Sequence, residues 1–188
     1  MKKFKAAGAA TSLPPGRPSS TLVNKLVGEK IAITSVRPQT TRNIIHGIVT
    51  FDEAQVIFLD TPGIINLTQA KTLIDQHTIE KALRSLEGVD LVGVLVEPTP
   101  ISEEDKFILE NLKKIKKPIF LVINKIDKIK DFQPEPLKKE YLSLFPFTRI
   151  IPISAKKGTN LSILIGEMIQ HLPSHPAYYS SDLITDQP

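Results

Sequence analysis

Three short polar segments follow apolar runs of the chain, and they carry residue types that bind phosphates and purine bases. The first is DTPG, formed by Asp60, Thr61, Pro62 and Gly63. Its carboxylate could hold a magnesium ion through a water molecule, and its glycine lets a backbone N–H approach a phosphate. An ordinary Thr-Pro-Gly turn explains the same four residues equally well.

The second and third segments, NKID and SAKKG, have the chemistry to recognise a guanine base. In NKID, Asp127 can accept hydrogen bonds from the N1–H and the exocyclic amine of guanine, a pattern that adenine lacks. The alternative is a polar strand exit with Lys125 reaching to solvent. In SAKKG, the Ala155 N–H could meet the guanine carbonyl oxygen, and the stem of Lys156 could flank the ring. The order of the three segments, one phosphate contact followed by two base contacts, predicts a guanine-nucleotide site.

Apolar runs of strand length alternate with longer segments of helical period, which predicts an α/β fold. Because ligands of open α/β sheets bind at the carboxyl ends of strands, this fold would bring the three segments together. The first two strands are separated by two residues, so we expect an antiparallel hairpin at one edge of the sheet. Predicted strands cover residues 43–51, 54–60, 91–97, 118–125 and 149–155, and predicted helices cover residues 19–29, 70–86, 102–115, 135–144 and 161–172.

Composition limits the classes of function that the chain can have. Its 188 residues, 41% of them hydrophobic, suit one globular domain. The sequence has no cysteine, which excludes disulfides and thiolate metal sites, and its four scattered histidines show no metal-ligand spacing. The net charge of +4 permits anionic partners, but without interleaved aromatic residues the lysine clusters favour a solvated face over RNA binding. No run of about 18 apolar residues occurs, so we expect a cytoplasmic protein and leave peripheral membrane contact open.

The chain resembles the Era family of bacterial ribosome-assembly GTPases, within the translation-factor class of P-loop GTPases. Residues 30–50 (KIAITSVRPQTTRNIIHGIVT) are similar to the first switch region of that family, and FLDTPGI, NKID and SAKKG match its later motifs. The resemblance implies a three-layer α/β/α Ras-like domain over residues 16–173, with a mixed, mostly parallel sheet. It also implies GTP and GDP as ligands, GTP hydrolysis, Mg²⁺, and the small ribosomal subunit and its RNA as partners.

The resemblance further assigns roles to individual residues. Thr41 would be the switch threonine that ligates magnesium, together with Ser20 and Asp60. Ile64 stands where Ras-type enzymes have a water-orienting glutamine, so no catalytic residue is assigned and slow hydrolysis or another water-positioning device is implied. The implied GTP contacts are Gly16, Ser20, Thr21, Asp60, Thr61, Pro62, Gly63, Asn124, Lys125, Asp127, Ser154, Ala155 and Lys156.

The phosphate loop departs from the family pattern. Relatives read Gly-x-Pro-Asn-x-Gly-Lys-Ser-Thr, whereas this chain reads GRPSST from Gly16 to Thr21 and is three positions shorter. Alignment places Ser20 on the magnesium-ligating serine and Ser19 on the lysine. The lysine bridges the β and γ phosphates in such loops, and its loss should cost about 1.5–3 kcal/mol. We therefore expect impaired nucleotide binding.

The two ends of the chain also depart from the family. Residues 1–15 form an atypical segment in which alanines, a glycine and two prolines make a poor central strand. If that segment does not pair, the sheet loses a strand between its hairpin and its parallel half. Residues 174–188 resemble the linker to an RNA-binding KH domain, which we expect to be absent. The alternative functions are a catalytically dead remnant that acts as a protein-interaction module and, less favoured, RNA binding through lysines.

Overall fold

One mixed sheet forms the centre of the molecule. The computed structural model describes residues 5–8, 22, 25–26, 32–33, 44–51, 54–60, 83, 86 and 88–174. The strands of this part of the chain stand in the spatial order β2-β3-β4-β1-β5-β6-β7, and all are parallel except the pairings of β3 with β2 and β4. Their bounds are β1 Lys5–Gly8, β2 Ala32–Ile33, β3 Ile44–Thr50, β4 Gln55–Asp60, β5 Val92–Val96, β6 Ile119–Ile123 and β7 Arg149–Pro152.

The N-terminal strand β1 corrects the expectation that the alanine-rich start of the chain is unsuited to the sheet centre. It lies between β4 and β5, with Lys5 opposite Val56, and Gly8 opposite both Leu59 and Val92. Parallel pairing is made by backbone N–H and C=O groups, which alanine and glycine also have. Hydrogen bonds to β4 on one side and β5 on the other therefore outweigh the low strand preference of these two residue types. The sheet therefore keeps the strand that joins its hairpin to its parallel half.

The predicted antiparallel hairpin is confirmed, but its predicted place at the edge of the sheet is wrong. Strands β3 and β4 pair from Ile44 opposite Asp60 to Thr50 opposite Gln55. On its other side β3 pairs with β2, whose two residues were not predicted as a strand. The short strand β2 covers backbone groups of β3 that an edge strand would expose.

Three helices of the parallel half begin and end within a few residues of their predicted bounds. They are α1 Glu103–Leu112, α2 Glu135–Leu144 and α3 Leu161–His171. Helix α1 begins at a capping box: the Ser102 hydroxyl accepts the Asp105 N–H at 3.1 Å, and the Asp105 carboxylate accepts the Ser102 N–H at 2.9 Å. Most residues of the predicted helices 19–29 and 70–86 lie outside the described part of the chain. Four residues of these two ranges are described as helical, namely Leu22, Lys25, Leu26 and Leu83.

Helices cover both faces of the sheet, as the alternation of side chains along a strand requires. On β6, Phe120 and Val122 join a core with the helical residues Leu22 and Leu26 and with α3. The intervening residues of β6 join a second core with α1 and α2. This arrangement confirms the three-layer α/β/α fold. No helix among the described residues is long and apolar enough to cross a membrane.

Candidate nucleotide-binding site

The polar segments that follow the parallel strands lie at one edge of the sheet. Hydrogen bonding continues one residue beyond the strands, where the Asn124 N–H donates to the Val96 oxygen at 2.8 Å and the Ile153 N–H donates to the Ile123 oxygen at 2.7 Å. Because β4 is also parallel to these strands through β1, its last residue, Asp60, lies at the same edge. The fold thus brings Asp60, NKID and SAKKG to one side of the molecule, as their positions at the ends of predicted strands led us to expect.

Asn124 braces the loops after β6 and β7. The residue is 5% exposed, and its Oδ1 accepts the Lys125 N–H at 2.7 Å and the Ala155 N–H at 3.0 Å. Ala155 is the residue whose N–H was expected to meet the guanine carbonyl oxygen. In this structure that N–H donates to Asn124, so NKID and SAKKG are joined through this hydrogen bond.

Asp127 lies in the 3₁₀ turn Ile126–Lys128 and is joined to SAKKG through Ser154. The Ser154 hydroxyl donates to Asp127 Oδ1 at 2.5 Å. This hydrogen bond is the main reason that the pKa of Asp127 lies below its ordinary value; Lys157 and Lys156 also lower it, and burial opposes the shift. Asp127 is therefore held as a carboxylate, which acts only as a hydrogen-bond acceptor and has further acceptor positions for a ligand.

The loop after β7 is closed by its own backbone. Ser154, which is fully buried, exchanges two backbone hydrogen bonds with Thr159 at 3.2 and 3.1 Å, and its hydroxyl accepts the Lys157 N–H at 3.1 Å. Gly158, at φ 76°, supplies the left-handed turn that this closure needs. The Asn160 side-chain amide donates to the Pro152 oxygen at 2.8 Å and anchors the far end of the loop. The Ser154 hydroxyl is thereby fixed in the direction of Asp127.

Lys125, whose side chain is 32% exposed, has a protein partner for its charge. Its ammonium group forms an ion pair with Glu97, a residue that directly follows β5 and has a side chain only 10% exposed. Sequence reasoning missed Glu97 as a site residue. A signal was present, because a carboxylate directly after an apolar strand is the same pattern that singled out Asp60.

Several predicted site residues lie outside the part of the chain that the structure describes. They are Gly16, Ser20, Thr21, Thr41, Thr61, Pro62 and Gly63, together with Ile64 and residues 175–188. Of the three predicted magnesium ligands, Asp60 alone is described, and the backbone places it at the end of β4. Within the described ranges no group of three or more His, Cys, Asp or Glu residues could hold a metal ion. Lys156 is exposed at the start of the closed loop.

Known proteins resemble this chain in both sequence and fold. A model of the family described as 50S ribosome-binding GTPase matches residues 16–125. The GTPase Era of Lactobacillus helveticus is 44% identical over 187 residues, which are 100% of this chain and 61% of that protein. The chain thus spans less than two thirds of the length of this relative.

Two solved structures of Era resemble the whole fold. A crystal structure of Era in complex with MgGDPNP and nucleotides 1506–1542 of 16S ribosomal RNA has a TM-score of 0.75 and 36% identity, covering 100% of this chain and 63% of that one. A variant of Aquifex aeolicus Era bound to GDP and AlF4⁻ has a TM-score of 0.73 and 36% identity, covering 99% and 62%.

Proposed function

Since this chain belongs to the Era family of GTPases, within the 50S ribosome-binding GTPases, we propose that it is a guanine-nucleotide-binding domain. The observation that carries the proposal is the hydrogen bond from Ser154 to Asp127. It joins the two segments expected to recognise the base and keeps the Asp127 carboxylate ionised. An ionised carboxylate at this position can accept both the N1–H and the exocyclic amine of guanine, whereas adenine presents no such pair of donors.

The remaining base contacts follow from the same edge of the sheet. Lys125 and Lys156 would flank the ring with their apolar stems. The Ala155 N–H would reach the guanine carbonyl oxygen in one of two ways. It would either donate to this oxygen and to Asn124 Oδ1 at the same time, or give up its hydrogen bond to Asn124. Asn124 therefore acts chiefly as the brace that sets the distance between NKID and SAKKG.

The phosphates and their Mg²⁺ would lie toward the end of β4. Asp60 lies at the same edge as the base site, and its oxygen atoms are of the kind that Mg²⁺ prefers. Ser20 and Thr41 would complete the protein ligands, and Gly16, Thr21, Thr61, Pro62 and Gly63 would contact the nucleotide. When bound, Mg²⁺ would neutralise charge on the phosphate oxygens.

We propose that this chain binds nucleotide more weakly than its relatives do. Its phosphate loop lacks the lysine and the second glycine, and it is three residues shorter than the family loop. A shorter loop presents fewer N–H groups to a phosphate, and serine in place of lysine supplies no charge. With isoleucine at position 64, we propose that any hydrolysis of GTP is slow.

The cellular role that we propose is ribosome assembly in the cytoplasm. Support comes from the solved Era complex, which contains nucleotides 1506–1542 of 16S ribosomal RNA. That RNA belongs to the small subunit, which we propose as the partner. We propose that the residues of this domain make only weak, salt-sensitive contact with RNA, because their lysine clusters have no interleaved aromatic residues on which bases could stack.

The second candidate function is a GTPase remnant that no longer binds nucleotide and acts as a protein-interaction module. The missing loop lysine favours it, because that residue contributes most of the positive charge that such loops offer to the β and γ phosphates.

Calorimetric titration with GDP, GTP and ADP in the presence of magnesium tests these proposals. We expect GDP to bind more tightly than ADP. The dissociation constant for GDP should be about 1 µM or higher, which corresponds to a binding free energy no more favourable than about −8 kcal/mol. Equal affinity for GDP and ADP would contradict the assignment of the guanine site. A sub-micromolar constant would contradict the impairment, and failure of all three nucleotides to bind would favour the remnant.

A further inference from the structure

Glu97 lies beside the proposed base site but belongs to none of its recognised motifs. It directly follows β5, and β5 is paired with β6 up to Val96 opposite Ile123. The two residues that directly follow β6 are Asn124 and Lys125. Parallel pairing therefore places the Glu97 carboxylate next to NKID.

The surroundings of Glu97 are those of a carboxylate that requires a partner. Its side chain is 10% exposed, and a charge so far removed from water is costly unless it is paired. Its Oε1 meets the Lys125 ammonium group, and its Oε2 lies 3.9 Å from Lys128 Nζ. The Lys128 side chain is 61% exposed against 32% for Lys125, so Lys125 is the closer and less exposed of these two lysines.

Lys125 is restrained at three points. Its backbone is left-handed, at φ 69° and ψ 30°, a conformation that residues with a β-carbon seldom adopt. Its N–H donates to Asn124 Oδ1 at 2.7 Å, and its ammonium group is bound by Glu97. A lysine side chain has four rotatable bonds and ordinarily samples many rotamers, so fixing both of its ends selects one path for its stem.

We propose that Glu97 is a positioning residue that holds the Lys125 side chain at the rim of the base site through their ion pair. The proposal rests on the proposed function, because the orientation of Lys125 matters to a ligand only if NKID binds the base. A lysine held in place before the nucleotide arrives loses less conformational freedom on binding. Glu97 thereby favours nucleotide binding without touching the nucleotide.

Lysine acylation followed by peptide mass spectrometry tests the ion pair without any nucleotide. An acylating reagent attacks an accessible amine, so we expect Lys125 to react slowly in the parent chain and several-fold faster in Glu97→Gln. The matched control is Glu103→Gln, because Glu103 pairs with Lys106 at 2.6 Å on the exposed surface of α1. Glu103→Gln should leave the reactivity of Lys125 unchanged. Unchanged Lys125 reactivity in Glu97→Gln would overturn the proposal.

Titration of the same variants with GDP tests the consequence for binding. We expect Glu97→Gln to weaken GDP binding by about three- to tenfold, the range expected for ordering one long side chain. The same substitution should have no effect in a Lys125→Met background, because Glu97 is proposed to act through Lys125. Glu97→Asp, which keeps the charge, should retain part of the affinity and show that the loss does not come from misfolding.

The two arms separate the inference from the function on which it rests. A Lys125 that becomes reactive in Glu97→Gln without any loss of GDP affinity would overturn the positioning role. An equal loss of affinity in the Lys125→Met background would overturn it as well. A parent chain that binds no GDP would contradict the proposed function, and the acylation result would then decide by itself whether Glu97 holds Lys125.

Discussion

The base side of the proposed site and its phosphate side differ in how the sequence supports them. On the base side, each residue of NKID with a polar side chain has a second group that restrains it. Asn124 accepts two backbone N–H groups, Lys125 pairs with Glu97, and Asp127 accepts the Ser154 hydroxyl. On the phosphate side, the loop that should carry the lysine and the second glycine has neither.

Strand β1, which precedes the phosphate loop in the chain, keeps its place in the sheet, whereas the sequence of the loop departs from the family pattern. Strand β1 ends at Gly8, between β4 and β5, although its sequence is KAAG. Pairing within a sheet depends on backbone groups that every residue except proline provides in full, whereas phosphate binding depends on particular side chains and on loop length. The comparison indicates that strand pairing tolerates changes of sequence to which we expect phosphate binding to be sensitive.

Repair of the phosphate loop should have the largest effect. Replacing Ser19 with Asn-Val-Gly-Lys restores the family pattern, and we expect GTP affinity in magnesium to rise by about a hundredfold or more. Because β1 is already paired, the loop repair should suffice without redesign of the strand. Calorimetric titration of the parent and repaired chains measures the difference.

The matched control for the repair inserts Asn-Val-Gly-Met at the same place, which restores loop length without the charge. It should recover only part of the gain. A repaired, folded chain that still fails to bind GTP would show that the base side is not a working half of a nucleotide site.

Asp127→Asn in the repaired chain should change which base is bound. The new amide keeps one accepting oxygen, but its NH2 group can donate to the C2 carbonyl of xanthine and cannot accept from the guanine amine, so we expect the GDP to XDP preference to reverse by about tenfold to a hundredfold. Competition titrations with both nucleotides measure the ratio. Asp131→Asn, an identical change at an exposed residue of the following loop, is the control and should leave the ratio unaltered. Retained guanine preference in Asp127→Asn would contradict the assignment of NKID.

Ser154→Ala should lower the free energy of unfolding of the domain. We expect this effect because Ser154 holds Asp127, and not because its hydroxyl contacts the base. The substitution removes the hydroxyl that donates to Asp127 and accepts the Lys157 N–H, so we expect a loss of about 1–2 kcal/mol in the free energy of unfolding. Urea denaturation measures the loss. Ser143→Ala removes a hydroxyl that donates to the Glu140 oxygen on the exposed surface of α2, and it should cost far less.

The same serine should alter the pH dependence of stability. Since the pKa of Asp127 is lowered in the folded chain, its stabilising contribution is present above the ordinary value of 3.8 and is lost as the pH falls through the folded-state value. Ser154→Ala removes the main cause of the shift, so the pKa of Asp127 should rise and the stability lost on acidification should shrink. NMR titration of the Asp127 carboxyl carbon measures the pKa directly. An unchanged titration would show that Ser154 does not hold the carboxylate.

Ser102→Ala should have the smallest effect. It should lower the stability of the domain and leave the choice of base unchanged. Loss of the cap of α1 should lower the free energy of unfolding by about 1 kcal/mol. In the repaired chain the GDP to ADP preference should stay the same, because no base-site residue contacts Ser102 in the hydrogen bonds of the described region. Thermal melting and titration measure the two properties. Ser162→Ala, at an exposed position inside α3, is the control.

Much of the parallel half of the fold was predictable because its local signals agree. Strand β6 is an unbroken run of buried apolar residues, and α1 begins at a capping box. Strand β1 was predictable only in part, since nothing in KAAG itself indicates a central strand. Strand β2 is two residues long, and such a length carries no periodic pattern.

The candidate site was predictable to the extent that its motifs are contiguous. Asp127 and Ser154 were both singled out, but their hydrogen bond joins residues 27 positions apart. Glu97 was missed because its proposed role depends on Lys125, which is 28 positions away and lies just after the neighbouring strand β6.

By itself the sequence determined the fold class, the order of the three polar segments, and the loss of the loop lysine, since each of these is a property of contiguous residues. The tertiary structure alone decided that β1 pairs at the sheet centre, that the Ala155 N–H donates to Asn124, and that Glu97 binds Lys125. These outcomes depend on which groups meet across the carboxyl edge of the sheet. These contacts are set by the order and register of the strands, and neither can be derived from the spacing of residues along the sequence.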